Sequence, residues 1–287
     1  MPPAPRPRED SDSGETALTA TESDRTLDIP AEAGFEATVT DQVATITLDR
    51  PDRLNSLTPH TWDWLARVRA ELPAAVRVVV LRGAGRAFSA GLDRAMFTPK
   101  GVSGAPGVLA LAGGDEQSAT DQIGAWQRAY DWTSTPRFVS IAAVHGHAIG
   151  GGFQLALGAD IRIVAEDAQF TMAEPTLGLV PDLGGTKRLA DLVGYSRAVE
   201  ICLTGRRVGA AEAYDIGLAS RVVPADGLDA AVAQTVAALV AVNADAAAAT
   251  KELLLAAAGN TQSQQEAAER AAQYRRLRAI VGAAGEH

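Results

Sequence analysis

Two glycine-rich segments, each following an apolar run, are the residues of this chain best placed to do chemistry. Val78-Val79-Val80-Leu81 leads into Gly83-Ala84-Gly85-Arg86-Ala87-Phe88-Ser89-Ala90-Gly91-Leu92-Asp93. Ile141-Ala142-Ala143-Val144 leads into His145-Gly146-His147-Ala148-Ile149-Gly150-Gly151-Gly152-Phe153-Gln154. Each pattern predicts a strand, a tight turn and then a helix. Glycine permits turn geometries and close backbone approaches that a Cβ forbids. The first N–H groups of a helix have no partner within it, so they are donors available to negative charge. Two such starts facing one another would hold one developing oxyanion. That chemistry acts on a carbonyl.

The elements that must position these turns are legible along the chain. Residues 1–33, rich in Pro, Ser, Thr, Asp and Glu, read as a disordered tail. Ala37–Thr40 and Val43–Leu48 read as a hairpin turning at Asp41-Gln42. Thr58 and Thr61 are candidate caps for a helix through Leu72. Val78–Leu81 is apolar throughout, as in a parallel strand covered on both faces. Residues 97–120 form a long connection, of a kind that often serves as a binding loop or lid. A helix through Trp126 and Tyr130 follows, and then strand 138–144, helix 151–158 and strand 161–164. Beyond Thr186 the chain reads as helical, with turns at Gly194, Gly205 and Gly217 and no strong strand. Trp126 and Tyr130 share a helix face, and with Trp132 they either line a pocket or fill the core.

Composition narrows the function classes. The chain has 287 residues, a formal charge of −9 and a hydrophobic content of 47%. That is enough for a substantial core, and the acidic balance argues against a nucleic-acid partner. Cys202 is the only cysteine. An intrachain disulfide is therefore excluded and a cysteine-based zinc site disfavoured. The N-terminus has no apolar signal core, and the most apolar stretch, 138–159, is broken by glycine and histidine. These features predict a cytoplasmic protein with no membrane partner. Phe88 replaces the third glycine of a dinucleotide fingerprint. His145 and His147 lack a third metal ligand. Ser89 lacks the frame of a hydrolase nucleophile, and Cys202 reads as core.

The motifs together resemble the crotonase superfamily, the enoyl-CoA hydratase/isomerase family, over about residues 36–255. The resemblance rests on Ile46–Pro51 with Leu54–Leu57, Gly85–Asp93, His145–Gly152, Glu174 through Pro181, Gly184–Leu189 and Leu203–Arg207. It implies an α/β fold, a spiral of ββα units with a helical C-terminal region. On this basis 34–204 forms the core with an acyl-CoA site, and 205–287 forms a helical trimerisation region. The expected assembly is a homotrimer or a dimer of trimers. The substrate would be an acyl-CoA thioester, carrying coenzyme A with it, with no metal or redox cofactor.

By the same resemblance the oxyanion hole is formed by the backbone N–H groups of Leu92 and Gly151. The family's hydratases hold a water between two glutamates; the second matches Glu174, and the first falls at Gln154. Glutamine orients a water but does not titrate. Asp182 matches the catalytic aspartate of several isomerase branches, or serves as a turn residue. This set favours moving a double bond in a 3-enoyl-CoA, with Glu174 as the first choice of base and Asp182 as the second. Hydration of a 2-enoyl-CoA and non-catalytic acyl-CoA binding are the alternatives. Arg53 matches a basic residue near the CoA phosphates, or is a solvated surface residue. Ala90 and Asp93 flank the loop that meets adenine. Arg275, Arg276 and Arg278 either replace the family's C-terminal CoA contacts or form a charged helix face.

Overall fold

The structure, a computed structural model, describes residues 24–98, 100–102, 104–105 and 107–284, with backbone only at 24 and 283–284. Its strands are β1 (Asp24–Thr26), β2 (Phe35–Thr40), β3 (Val43–Leu48), β4 (Val78–Gly83), β5 (Val139–Val144), β6 (His147–Ile149), β7 (Ile161–Ala165), β8 (Gln169–Thr171), β9 (Val208–Gly209) and β10 (Arg221–Val223). Its helices are α1 (Pro59–Glu71), α2 (Glu116–Gln127), α3 (Gly151–Leu157), α4 (Gly185–Val193), α5 (Tyr195–Thr204), α6 (Ala210–Asp215), α7 (Leu228–Ala241), α8 (Ala244–Ala257) and α9 (Gln262–Ala284).

A seven-stranded sheet runs β1-β2-β3-β4-β5-β7-β10, and a three-stranded sheet runs β6-β8-β9. In the larger sheet β1/β2 and β2/β3 are antiparallel and β3, β4, β5, β7 and β10 run parallel, whereas in the smaller sheet β6/β8 is parallel and β8/β9 antiparallel. Successive units send one strand into each sheet: β5 is followed by β6 and α3, and β7 by β8. An isolated bridge between Ser89 and Ala148 extends the smaller sheet toward the unit begun by β4. This is the expected spiral of ββα units.

Side-chain alternation explains why β4 is apolar from Val78 through Leu81. Val79 and Leu81 point into the main core, whereas Val78 and Val80 point into a second core with Leu228 and Ala231 of α7. In β5, Ala142 and Val144 divide from Ile141 and Ala143 in the same way. A strand covered on both faces has no position to spare for a polar residue. The hairpin β2/β3 has the expected turn, with Asp41 at φ 52. Thr58 caps α1, and Thr61 returns the hydrogen bond in a capping box.

Three expectations need correction. The tail expected over 1–33 is shorter in its described part, because Asp24–Thr26 pairs with β2 and Leu27 and Ile29 pack on the core. Residues 1–23 lie outside the described residues. The division at 204/205 does not separate two packed units, since β10 extends the sheet beside β7 and α7 covers the back of it. The 97–120 segment is not a plain loop, for it follows directly on a 3-10 turn at Arg94–Phe97 and contains a second at Val108–Gly113 and the start of α2.

The C-terminal helices are anchored by a buried ion pair. Lys251 Nζ donates to Asp160 Oδ2 at 2.7 Å and to the Phe138 carbonyl at 2.7 Å. The same carboxylate oxygen accepts from the Ser140 N–H and hydroxyl. Removing one member strands the other charge in a mostly buried setting, which costs more than an intact pair contributes. The Lys251→Ala variant is expected to lose about 3 kcal/mol of unfolding free energy, read by denaturant melts against the parent protein.

Candidate active site

The two glycine-rich turns meet side by side. Ser89 N–H donates to the His147 carbonyl and Ile149 N–H to the Ser89 carbonyl, both at 2.9 Å. Leu57 pairs with Leu92 in a parallel bridge, its N–H donating to the Gly91 carbonyl and its carbonyl accepting from the Asp93 N–H. In such a bridge the central residue's own N–H points to the opposite side. The Leu92 N–H is thereby turned away from Leu57. A Cβ on Gly91 would lie 2.4 Å from the Ile149 carbonyl oxygen and 3.3 Å from the Gly151 nitrogen. Gly91 has φ +82, so both its conformation and its contacts require glycine. Gly151 is the first residue of α3. Its nitrogen lies beside Gly91, the residue before Leu92, and neither the Gly151 nor the Leu92 N–H finds a backbone acceptor among the described residues. The structure thus sets side by side the two turns that carry Leu92 and Gly151.

Glu174 lies beside this pair. Its Oε1 would stand 3.2 Å from a Cβ on Gly150, and Oε2 is buried with no hydrogen-bond partner among the described residues. Burial pushes the Glu174 carboxyl above its ordinary value. A hydrogen bond from Gln154 works against this rise, and the charge of Asp182 adds to it. Burial likewise raises Asp182. Two carboxyl groups raised in this way suit proton transfer nearer neutral pH.

Gln154 joins the site in a different way from the expected one. It is fully buried, and its Nε2 donates to Glu174 Oε1 at 2.7 Å. Its Oε1 accepts from Leu183 N–H at 2.9 Å and Gly185 N–H at 3.1 Å. Both acceptor positions of the amide oxygen are therefore used. Gln154 fixes the base and the turn that carries Asp182, rather than holding a water with a free oxygen. Gln127 Nε2 secures the same turn by donating to the Asp182 carbonyl at 2.7 Å.

The expected CoA contacts divide. Arg53 is exposed on the turn Pro51–Arg53, with no ion pair among the described residues. The next residue, Leu54, accepts a hydrogen bond from Ala90 N–H at 2.8 Å, which sets this turn alongside the Ala90 loop. Asp93 is corrected. Its carboxylate pairs with Arg50 at 2.8 Å, accepts from Ser56 Oγ and caps Ala95 N–H. Burial opposes its charge, but these hydrogen bonds outweigh burial and hold the carboxyl below its ordinary value. Its side chain shapes the loop and is not free for a ligand. Arg276 is bound to Asp245 and Asn243 within the chain.

Trp132 is core, its indole N–H donating to Ala129 O. Trp126 and Tyr130 are buried too, but with Trp62 they form an aromatic wall next to Gly151. Trp62 is absent from the residues predicted for the site. Its sequence signal is faint, for it reads as one apolar position on α1 with Leu65 and Val68. Ser89 is fully buried and donates to the Asn55 carbonyl, in keeping with a structural serine.

The chain is similar to known proteins in sequence and fold. The profile of the enoyl-CoA hydratase/isomerase family matches residues 38–279. A Thermobifida fusca YX protein assigned as an enoyl-CoA hydratase, solved in complex with acetoacetyl-CoA, superposes with a TM-score of 0.83 at 50% identity. The match covers 86% of this chain and 96% of that one. The Mycobacterium tuberculosis protein named Probable enoyl-CoA hydratase echA8 is 34% identical over 213 residues, 74% of this chain and 77% of the relative. The peroxisomal Delta(3,5)-Delta(2,4)-dienoyl-CoA isomerase of Arabidopsis thaliana is 35% identical over 183 residues, 62% of this chain and 64% of that protein.

The close approach at Gly91 generates a direct test. Gly91→Ala forces the Leu92 peptide away from Gly151, and is expected to lower kcat by about 10²–10³-fold, the effect of losing one oxyanion donor. Steady-state kinetics read with a thermal melt separate this loss from unfolding.

Proposed function

The chain belongs to the enoyl-CoA hydratase/isomerase family, and from that premise we propose that it moves a double bond within an enoyl-CoA thioester by proton transfer through an enolate. Gln154 carries this reading: where a two-carboxylate hydration site needs a second glutamate, its amide is consumed by Glu174, Leu183 and Gly185. One titratable carboxylate stands next to the N–H pair, with a second nearby.

In this reading the substrate carbonyl accepts from Leu92 and Gly151. Glu174 removes a proton from C2 of a 3-enoyl-CoA. The electron pair of that C–H bond moves into C1–C2, and charge collects on the thioester oxygen, where the two N–H groups stabilise it. The protonated carboxyl then returns a proton at C4, leaving the double bond between C2 and C3 and the base regenerated. Asp182 is the second candidate for either transfer. Arg53 is placed to meet a CoA phosphate and the Ala90 loop to meet adenine. Exposed Tyr274, Leu277 and Val281 on one face of α9 support a trimer or a dimer of trimers.

Hydration of a 2-enoyl-CoA is the second reading, favoured by the hydratase names of most of the relatives. Parallel assays with 3-enoyl-CoA and 2-enoyl-CoA distinguish the two. Isomerisation predicts conjugated 2-enoyl-CoA from the first substrate and no 3-hydroxyacyl-CoA from the second; accumulation of 3-hydroxyacyl-CoA would favour hydration. Glu174→Gln is expected to reduce turnover by about a hundredfold to ten-thousandfold. Because the base acts deprotonated and burial raises it, activity is expected to fall on acidification at a pH above the ordinary glutamate value of about 4.3. The acid limb of a kcat/KM profile measures this.

A further inference from the structure

His145 has no task in that reaction as derived above. It follows β5 directly and, with His147, is one ligand short of a metal site in the sequence. Among the described residues no set of three metal-ligating side chains forms around either histidine. The His145 imidazole reaches the other glycine-rich turn, where its Nε2 lies 2.9 Å from the Gly85 carbonyl oxygen. A carbonyl only accepts, so this bond requires a hydrogen on Nε2. The bond joins the heads of the two segments that lead to Leu92 and Gly151.

The rest of the junction is backbone. Phe88 N–H donates to the His145 carbonyl, Ser89 N–H to the His147 carbonyl and Ile149 N–H to the Ser89 carbonyl, each at 2.9 Å. Ahead of this ladder the first segment bends at Ala84–Ala87, with Gly85 at φ +71. A Cβ on Gly146 would lie 2.2 Å from the Arg86 carbonyl oxygen, so the two backbones touch there. Asn55 holds the bend from the core side through the Ala84 and Ala87 carbonyls. Among the described residues the imidazole gives the only hydrogen bond between residues 84–87 and the 145–152 segment. A short ladder fixed at one end pivots, and a second anchor ahead of it removes that freedom. Catalytic groups must be held to within about 0.5 Å by such supporting bonds.

The imidazole acts from outside the site. It lines a cavity of about 540 Å³ with Thr45, Thr47, Arg82 and Asp167, beside Leu228 of α7, and that cavity is bordered by none of Glu174, Gln154 and Asp182. Any effect of His145 on the reaction therefore runs through Gly85. We propose that His145 is a positioning residue: by donating from Nε2 to the Gly85 carbonyl, it holds the turn that carries Leu92 in register with the turn that carries Gly151. The inference rests on the oxyanion reading above and is independent of whether the site isomerises or hydrates. Charge gathers on the thioester oxygen as the reaction proceeds, so lost register lowers kcat more than it raises KM.

Two variants, assayed with the enoyl-CoA ester that the parent protein turns over, test it. His145→Phe keeps a ring and removes the donor. Its kcat is expected to fall about tenfold with KM held within about twofold, short of the roughly hundredfold that a 1 Å misplacement costs. His145→Gln offers an amide N–H in place of the Nε2–H and is expected to keep kcat within about threefold of the parent. A phenylalanine variant with parental kcat overturns the proposal, as does one that loses through KM alone or a glutamine variant no better than it. Nitrogen-15 NMR of the parent gives a readout apart from turnover. The hydrogen of the neutral His145 ring is expected on Nε2, and its location on Nδ1 overturns the proposal. Should the phenylalanine variant fail to fold, the glutamine variant decides, because a kcat about tenfold below the parent overturns the proposal and a kcat near the parent supports it. Parent protein inactive on both 2-enoyl-CoA and 3-enoyl-CoA overturns the proposed function and this inference with it, whereas parental activity unmoved at position 145 overturns this inference alone.

Discussion

Holding two peptide N–H groups, from turns far apart in sequence, close together and unpaired is the constraint that the local architecture serves. A buried donor left without an acceptor costs about 1–3 kcal/mol, so the surroundings must over-determine the geometry. They do so with backbone. Ser89 pairs with the 147–149 strand, and Leu57 with the bridge through Leu92. Ser89 Oγ accepts from Gly91 N–H and donates to the Asn55 carbonyl. Asn55 in turn donates to the carbonyls of Ala84 and Ala87. Gly152 lets α3 start against Ser89, where a Cβ would lie 2.5 Å from the serine carbonyl. The remote end of α3 is covered by Arg162, whose guanidinium donates to the carbonyls of Ala156 and Ala159. Burial lowers that arginine to about 10.

Around this donor pair the acidic groups are sorted by their partners. Asp93 is surrounded by Arg50, Ser56 and the Ala95 N–H and stays ionised as a structural clasp. Glu174 has one oxygen on Gln154 and the other free, in a setting where burial favours the protonated form. The two carboxylates differ in role because one is saturated with donors and the other is not. Gln154 is the pivot, tying the base on the 174 turn to the turn that carries Asp182. Tyr130 is buried on the other side of Gly151, its hydroxyl 3.2 Å from where a Cβ on that glycine would lie.

Strands and caps were legible because they depend on short-range rules. The all-apolar run at β4 predicted a strand covered on both faces, and it sits between two cores. Thr58 and Thr61 marked the start of α1. Gly194, Gly205 and Gly217, expected as turns, all have positive φ. β10 was missed, because Arg221-Val222-Val223 is too short to show alternation and is a strand only by pairing with β7. The start of the ordered core was missed for the same reason, since Asp24-Arg25-Thr26 is polar and is held by β2. The clasp made by Asp93 was not legible, because its partner Arg50 lies on another turn and no local pattern reveals that pairing.

By itself the sequence determined the local geometry and the inventory of chemical groups: where glycine frees an N–H, where a helix begins, which carboxylates are available and that position 154 cannot titrate. These follow from steric and hydrogen-bonding rules acting within a few residues. The tertiary structure alone decided which groups are free to act. It spent Asp93 on Arg50 and Gln154 on Glu174 and two backbone N–H groups, and it left the Tyr130 hydroxyl unpartnered beside Gly151. Whether a polar atom is free depends on what the fold brings within about 3 Å of it, and those neighbours come from distant parts of the chain.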